Sequence, residues 1–210
     1  MRNTLRQREA VVIPGLGDTS FVTWLTLKLL TWQWNKWGVV ANVFPMKWGD
    51  TSQTYEQKYA GVCDQIKSVY LRTNQPVVTV GLSAGGTVAL RLAIENPQVV
   101  SNGASLCGML RATTPKAKQT LAHSIRKHPS FIDSVRYFSR LETGLQPAQL
   151  SRHLAMYPRY DELVPPESAR LPGAQETVIP AYEHIWGIAV ACLSPTMKRF
   201  LLPENGILRS

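Results

Sequence analysis

Gly81-Leu82-Ser83-Ala84-Gly85 is a G-x-S-x-G pentapeptide set between two different periodicities. Before it, Pro76-Val77-Val78-Thr79-Val80 is a short β-branched run bounded by Pro and Gly, which predicts a buried parallel strand. After it, Gly86 to Glu95 carries Val88 with Leu92 and Leu90 with Ile94 at helical spacing, and Asn96-Pro97 stops the run. A strand, a sharp turn and a helix, with serine at the apex, make a nucleophile elbow. Such a turn strains the serine backbone and requires small neighbours, because a side chain at Gly81 or Gly85 would strike the crossing elements. Three fixed positions match by chance roughly once in 3,000 residues, so the flanking strand and helix carry the weight of the motif. The plain alternative is a glycine-rich turn with an incidental serine.

Serine is a poor nucleophile unless a base takes its proton. Histidine does this near neutral pH, and a carboxylate fixes its tautomer and stabilises the imidazolium. An elbow of this kind expects the chain order Ser, acid, His. His153-Leu154-Ala155-Met156-Tyr157 predicts a strand, with Asp161 in the turn-rich loop just past its carboxyl end. Glu176-Thr177-Val178-Ile179-Pro180 predicts the next strand, and His184 follows it, ahead of an apolar helix from about Ile185. Ligands of open parallel sheets bind beyond the carboxyl ends of the strands, the edge where Ser83, Asp161 and His184 are all expected. Asp161 also has a simpler role open to it, starting a turn before Pro165-Pro166. Of the other histidines, His153 starts a strand at the far end, and His123 and His128 fall in a basic helical stretch.

A third element lies near the start. Ala10-Val11-Val12-Ile13 predicts a strand, followed at once by Pro14-Gly15-Leu16-Gly17-Asp18. Acyl transfer needs two N–H groups aimed at the developing oxyanion. The residue after the nucleophile, Ala84, supplies one, and the loop after the early strand, at Leu16, supplies the other. A phosphate-binding loop is the alternative, but neither G-x-G-x-x-G nor a P-loop lysine is present.

On these residues the chain resembles the α/β-hydrolase superfamily, and within it the small esterase- and lipase-like members. The resemblance runs from Val11 to about Phe200 and rests on Pro14-Gly15-Leu16-Gly17, Gly81 to Gly86, Asp161 with Val164-Pro165 behind it, and His184. Many members carry His-Gly in the oxyanion loop where this chain has Pro14-Gly15, and the usual first two strands are missing. The resemblance implies a serine hydrolase that needs no metal or organic cofactor.

The remaining pattern fits a three-layer α/β/α fold, doubly wound around a mostly parallel sheet of about six strands. Ser20 to Trp34 predicts a helix with Phe21, Trp24, Leu25, Lys28, Leu29 and Trp32 on one stripe. Val39 to Phe44 and Val99 to Leu106 predict strands, and Thr51 to Arg72 predicts a helix with Tyr55, Tyr59, Val62, Ile66 and Val69 at 3.6-residue spacing. Trp24, Trp32, Trp34, Trp37 and Trp48 are expected mainly in the core, with an acyl pocket as the alternative for some. Residues 109–152 contain no strand signal and predict a helical cap inserted into a single domain spanning 1–210.

That insertion is basic: Arg111, Lys116, Lys118, Arg126, Lys127, Arg136, Arg140 and Arg152 stand against Asp133 and Glu142. With a net charge of +9, anionic partners are favoured electrostatically, through either an ordinary solvated face or a cap that attracts anionic or lipid-like ester substrates or associates with a lipid surface. No base-reading motif accompanies the charge, so nucleic acid is not an expected partner. No apolar run approaches the roughly 18 residues of a membrane span. Met1 to Glu9 lacks the apolar segment of a signal peptide. Cys63, Cys107 and Cys192 are odd in number and without metal spacing, so reduced core cysteines in a cytoplasmic protein are expected. The expected reaction is hydrolysis of a small-molecule carboxylic ester through an acyl-enzyme on Ser83. A thioesterase, peptidase or acyltransferase would use the same parts. The rival from another class is an idle hydrolase fold that binds partners through its basic cap.

Overall fold

Alternate residues of a strand face opposite sides of a sheet, and here both sides are buried. Val11 and Ile13 enter one hydrophobic core, while Ala10 and Val12 of the same strand enter another. Such two-sided burial is what a run of apolar residues with no polar alternation encodes. The computed structural model describes residues 7–203, so Met1 to Arg6, most of the segment read above as lacking a signal peptide, lie outside it.

Six strands form one parallel sheet: β1 (Arg8–Ile13), β2 (Val39–Val43), β3 (Val77–Leu82), β4 (Val100–Leu106), β5 (His153–Pro158) and β6 (Gln175–Ile179). Their order is β2-β1-β3-β4-β5-β6. The chain leaves β1 in one direction for β2 and returns across it to β3. Right-handed crossovers therefore send the connecting helices to opposite faces. On one face lie α1 (Phe21–Lys36), α8 (His184–Leu193) and α9 (Pro195–Leu201), through Leu27, Leu30, Trp34, Ala191, Met197 and Leu201. On the other lie α2 (Tyr55–Thr73), α3 (Gly86–Glu95) and α5 (Pro129–Glu142), through Val62, Ile66, Val88, Leu92, Phe131 and Val135. The topological switch point lies between β1 and β3, at the carboxyl ends where ligand sites of such sheets form.

Two sequence expectations change in the folded chain. Helix α2 begins at Tyr55, not Thr51, because Asp50 Oδ1 accepts the Ser52 N–H in a local turn and Thr54 then caps the helix in a capping box with Gln57. Among the tryptophans, Trp34 and Trp48 are core, Trp37 packs at its margin, and Trp24 and Trp32 are exposed. The stripe expected along α1 therefore points away from the sheet.

Residues 109–152 divide into unlike parts. The amphipathic α5 is an ordinary layer helix on α2 and α3, with Phe131, Ile132, Val135 and Phe138 buried. It is locked there by Arg91 of α3, whose guanidinium lies 3.7 Å from the rings of Tyr59 and Tyr137 and binds Glu56 in a fork at 2.8 and 2.9 Å. Helix α4 (Pro115–Ser124) faces the carboxyl edge of the sheet at the switch point, where Phe131 of α5 also reaches, and α6 (Pro147–Leu150) is a single turn leading into β5.

Candidate active site

Ser83 follows β3 in a 3₁₀ turn and adopts φ of 51°, a left-handed backbone that costs a non-glycine residue energy. The neighbours show why only glycine fits around it. A Cβ on Gly81 would lie 2.1 Å from the Gly85 carbonyl oxygen, and one on Gly85 would lie 2.1 Å from the Ile13 carbonyl oxygen. A Cβ on Gly86 would lie 2.3 Å from the Ser105 hydroxyl oxygen. The elbow is thus wedged between β1 and β4, with the serine side chain lifted over the sheet edge.

Asp161 lies in the loop between β5 and α7 (Pro166–Ala169), and His184 is the first residue of α8, after β6. Both are 2 % exposed. His184 Nδ1 lies 2.7 Å from Asp161 Oδ2, and His184 Nε2 lies 2.8 Å from Ser83 Oγ. Asp161 also fills the simpler role: its Oδ1 accepts the N–H groups of Leu163 at 2.8 Å and Val164 at 2.7 Å. One carboxylate oxygen sets the turn and the other faces the imidazole. Two further contacts steady this loop. Glu162 Oε2 accepts the His184 N–H at 2.9 Å, which caps the start of α8, and Lys116 Nζ donates to the Asp161 carbonyl at 3.1 Å.

Leu16 and Ala84 flank the serine from two sides, and both line the same cavity as Ser83. Among the described residues the Leu16 N–H donates to no other group. Gly15 lets the loop pass: a Cβ there would stand 2.8 Å from the Ser83 Cβ. The loop is fixed from behind, because Trp48 Nε1 donates to the Pro14 carbonyl at 3.0 Å. Asp18 Oδ2 accepts the Lys47 N–H at 2.6 Å, with burial pushing this carboxyl above its ordinary range against the pull of that bond. Neither Trp48 nor Glu162 carries a motif, and only packing reveals their part.

Two cavities meet at Ser83, Leu16 and Leu163. One, about 390 Å³, runs between α1 and α8 along Leu27, Leu30, Ile185 and Ile188 and is apolar. The other, about 500 Å³, lies under α4 beside Lys116, Thr120 and His123, with Phe131 and Met109 as its floor. His123, which sequence alone placed only in a basic helix, is part of that wall. Of the basic residues in 109–152, Lys116 alone lines this cavity. Arg111 pairs with Glu142, Arg136 with Asp133, and Arg152 is committed to the carbonyls of Val100 and Ser101. Among the described residues no three His, Cys, Asp or Glu side chains converge as a metal ligand set.

No protein-family model matches the chain, and no curated protein matches it in sequence. Solved structures do match it. A lipase from Bacillus licheniformis superposes with a TM-score of 0.72 at 16% identity, over 94% of this chain and 93% of that one. An α/β-hydrolase enzyme from a sediment metagenome of the Mar Chica lagoon, Morocco, gives 0.57 at 15% identity, over 94% and 90%. The thioesterase domain of the curacin biosynthetic pathway gives 0.56 at 14% identity, over 93% and 91%. The chain has the α/β-hydrolase fold.

Proposed function

We propose that the protein is a serine hydrolase that cleaves carboxylic esters through an acyl-enzyme on Ser83. The observation that carries the reading is the unbroken hydrogen-bond chain from Ser83 through His184 to Asp161, at 2.8 and 2.7 Å, opening into two cavities. His184 Nε2 takes the Ser83 proton as Oγ attacks the acyl carbon. Asp161 holds Nδ1–H and balances the charge the imidazole gains. The N–H groups of Leu16 and Ala84 receive the oxyanion. His184 then returns the proton to the leaving alcohol, and water, deprotonated by the same imidazole, releases the acid. The apolar cleft between α1 and α8 takes the acyl chain, and the chamber under α4 takes the alcohol side. In this reading α4 is the cap of a single domain, and Lys116 is the cation that favours an anionic substrate.

The likeness to a thioesterase domain as well as to a lipase supports keeping thioesters beside oxygen esters, because the acyl-enzyme is the same for both. The test is labelling with a fluorophosphonate probe, followed by turnover of oxygen esters and thioesters of graded acyl length. The native chain is expected to label on Ser83, and Ser83→Ala is expected to remain unlabelled and lose about 10⁶ in kcat. A native chain that does not label would be an idle binding module, and the reading would be abandoned.

A further inference from the structure

Helix α1 is apolar on two faces. Leu27, Leu30 and Trp34 lie against the sheet, yet Phe21, Leu29, Trp32 and Trp24 are 71%, 64%, 57% and 47% exposed, with Leu25 beside them. A contiguous exposed apolar face marks an interaction surface, and α1 has the protein core on its inner side only. At 16 residues it is about 24 Å long, short of the roughly 30 Å bilayer core, so it would lie along a membrane, not across it. Its charges fit that placement. Lys28 Nζ lies 4.2 Å from the Trp24 ring and Lys36 Nζ lies 3.7 Å from the Trp32 ring, while α1 contains no Asp or Glu. Exposed aromatic rings flanked by lysines suit an anionic bilayer interface, where the rings enter the headgroup boundary and the ammonium groups meet phosphate. A second copy fits worse, because a two-fold contact through α1 would bring lysine toward lysine with no carboxylate to meet them.

We propose that the outer face of α1 docks the protein onto anionic phospholipid bilayers. The neighbouring α8 adds Ile185, which is exposed and lines the same cleft as the inner face of α1. The inner face of α1 meanwhile lines, with Thr23, Leu27 and Leu30, the cleft that reaches Ser83. Docking would therefore set the mouth of that cleft against lipid. Only this last step rests on the hydrolase reading; the docking does not.

Cosedimentation with vesicles tests it. Ser83→Ala protein is used, so that catalysis plays no part and failure of docking stays separate from failure of the hydrolase reading. The expected result is pelleting with phosphatidylcholine vesicles containing one part in four of phosphatidylglycerol, and much weaker pelleting with phosphatidylcholine alone. Leu25→Glu/Leu29→Glu/Trp32→Glu is expected to abolish binding while keeping the parental thermal midpoint. Lys28→Glu/Lys36→Glu, which leaves the apolar face untouched, is expected to lose at least about 20-fold in affinity for the anionic vesicles, since each lysine near such a surface contributes about fivefold. A protein that stays in the supernatant with anionic vesicles overturns the proposal, as do variants that pellet like the parent. So does a dimer, seen by sedimentation velocity, that the triple variant dissolves while vesicles are ignored; the face would then belong to a second copy.

Discussion

Asp161 divides its two oxygens between structure and the candidate site, and that division can be tested. In Asp161→Asn the single carbonyl oxygen can keep the Leu163 and Val164 N–H groups, which leaves the amide NH₂ facing His184 Nδ1. An NH₂ group cannot accept the Nδ1–H, so the imidazole is turned to the wrong tautomer. We expect kcat to fall by about 10⁴ with the thermal midpoint nearly unchanged. A normal rate would remove Asp161 from the reaction. Leu16 offers a second test at this scale, because its proposed part is played by the backbone. Leu16→Pro deletes the N–H and is expected to cost about 10²–10³ in kcat with less effect on KM. Leu16→Ala keeps the N–H and is expected to stay near parental. Equal damage in both would assign the role to the side chain. Both variants are compared only after matching the parent in thermal midpoint, since proline also restricts Gly15.

The strand–turn–helix unit works because three glycines let β1, β3, β4 and α3 approach to backbone contact. Gly85→Ala would drive a methyl into the Ile13 carbonyl, which cannot move without parting β1 from β3. A loss of about 3 kcal/mol or more is expected in urea unfolding, at the upper end of overpacking penalties; an unchanged midpoint would show that the elbow is looser than its contacts indicate. The helix α4 supports a different prediction. Arg111, Arg136 and Arg152 spend part of the cationic character of 109–152 on carboxylates and carbonyls away from the cavity, and of its lysines and arginines Lys116 is the one in the cavity wall. Lys116→Met is therefore expected to raise KM for anionic esters more than for neutral ones, in kinetics at low salt. Arg126→Glu with Lys127→Glu, outside the cavity, is expected to change both classes little. The reverse pattern would move substrate recruitment to the α4–α5 turn.

For the molecule as a whole, His153 sets a dependence of stability on pH. It opens β5 in the interior, both ring nitrogens lack a hydrogen-bond partner among the described residues, and burial, with Arg152 adding to it, pushes the imidazole down to about 4. The Gly103 backbone approaches the ring without a well-formed hydrogen bond and offsets little of this. The unfolded chain binds this proton near pH 6.5 and the folded chain only near 4, so stability is highest above about 6.5 and falls as pH drops toward 4. The loss from this group approaches about 3 kcal/mol. In urea unfolding at several pH values, His153→Leu is expected to flatten the slope between those limits. Parallel slopes for parent and variant would place the acid sensitivity elsewhere.

The sequence determined the strand order of appearance, the elbow and the three polar residues that meet over it, because each depends on short-range signals. β-Branched runs ended by Pro or Gly mark strands, glycine spacing marks a turn that only glycine fits, and chain order in a parallel sheet decides which loops share an edge. Tertiary structure alone decided the rest. Periodicity shows that α1 carries an apolar stripe but not which of its two apolar faces meets the sheet, so Trp24 and Trp32 were expected inside and lie outside. Composition shows that 109–152 is basic and helical. Only packing separates α5, which spends its apolar face on the core, from α4, which stands over the cavity with Lys116 and His123. Trp48 and Glu162 follow no local pattern at all; their contacts to Pro14 and His184 join residues 34 and 22 positions apart, a distance at which sequence carries no rule and the fold supplies the neighbour.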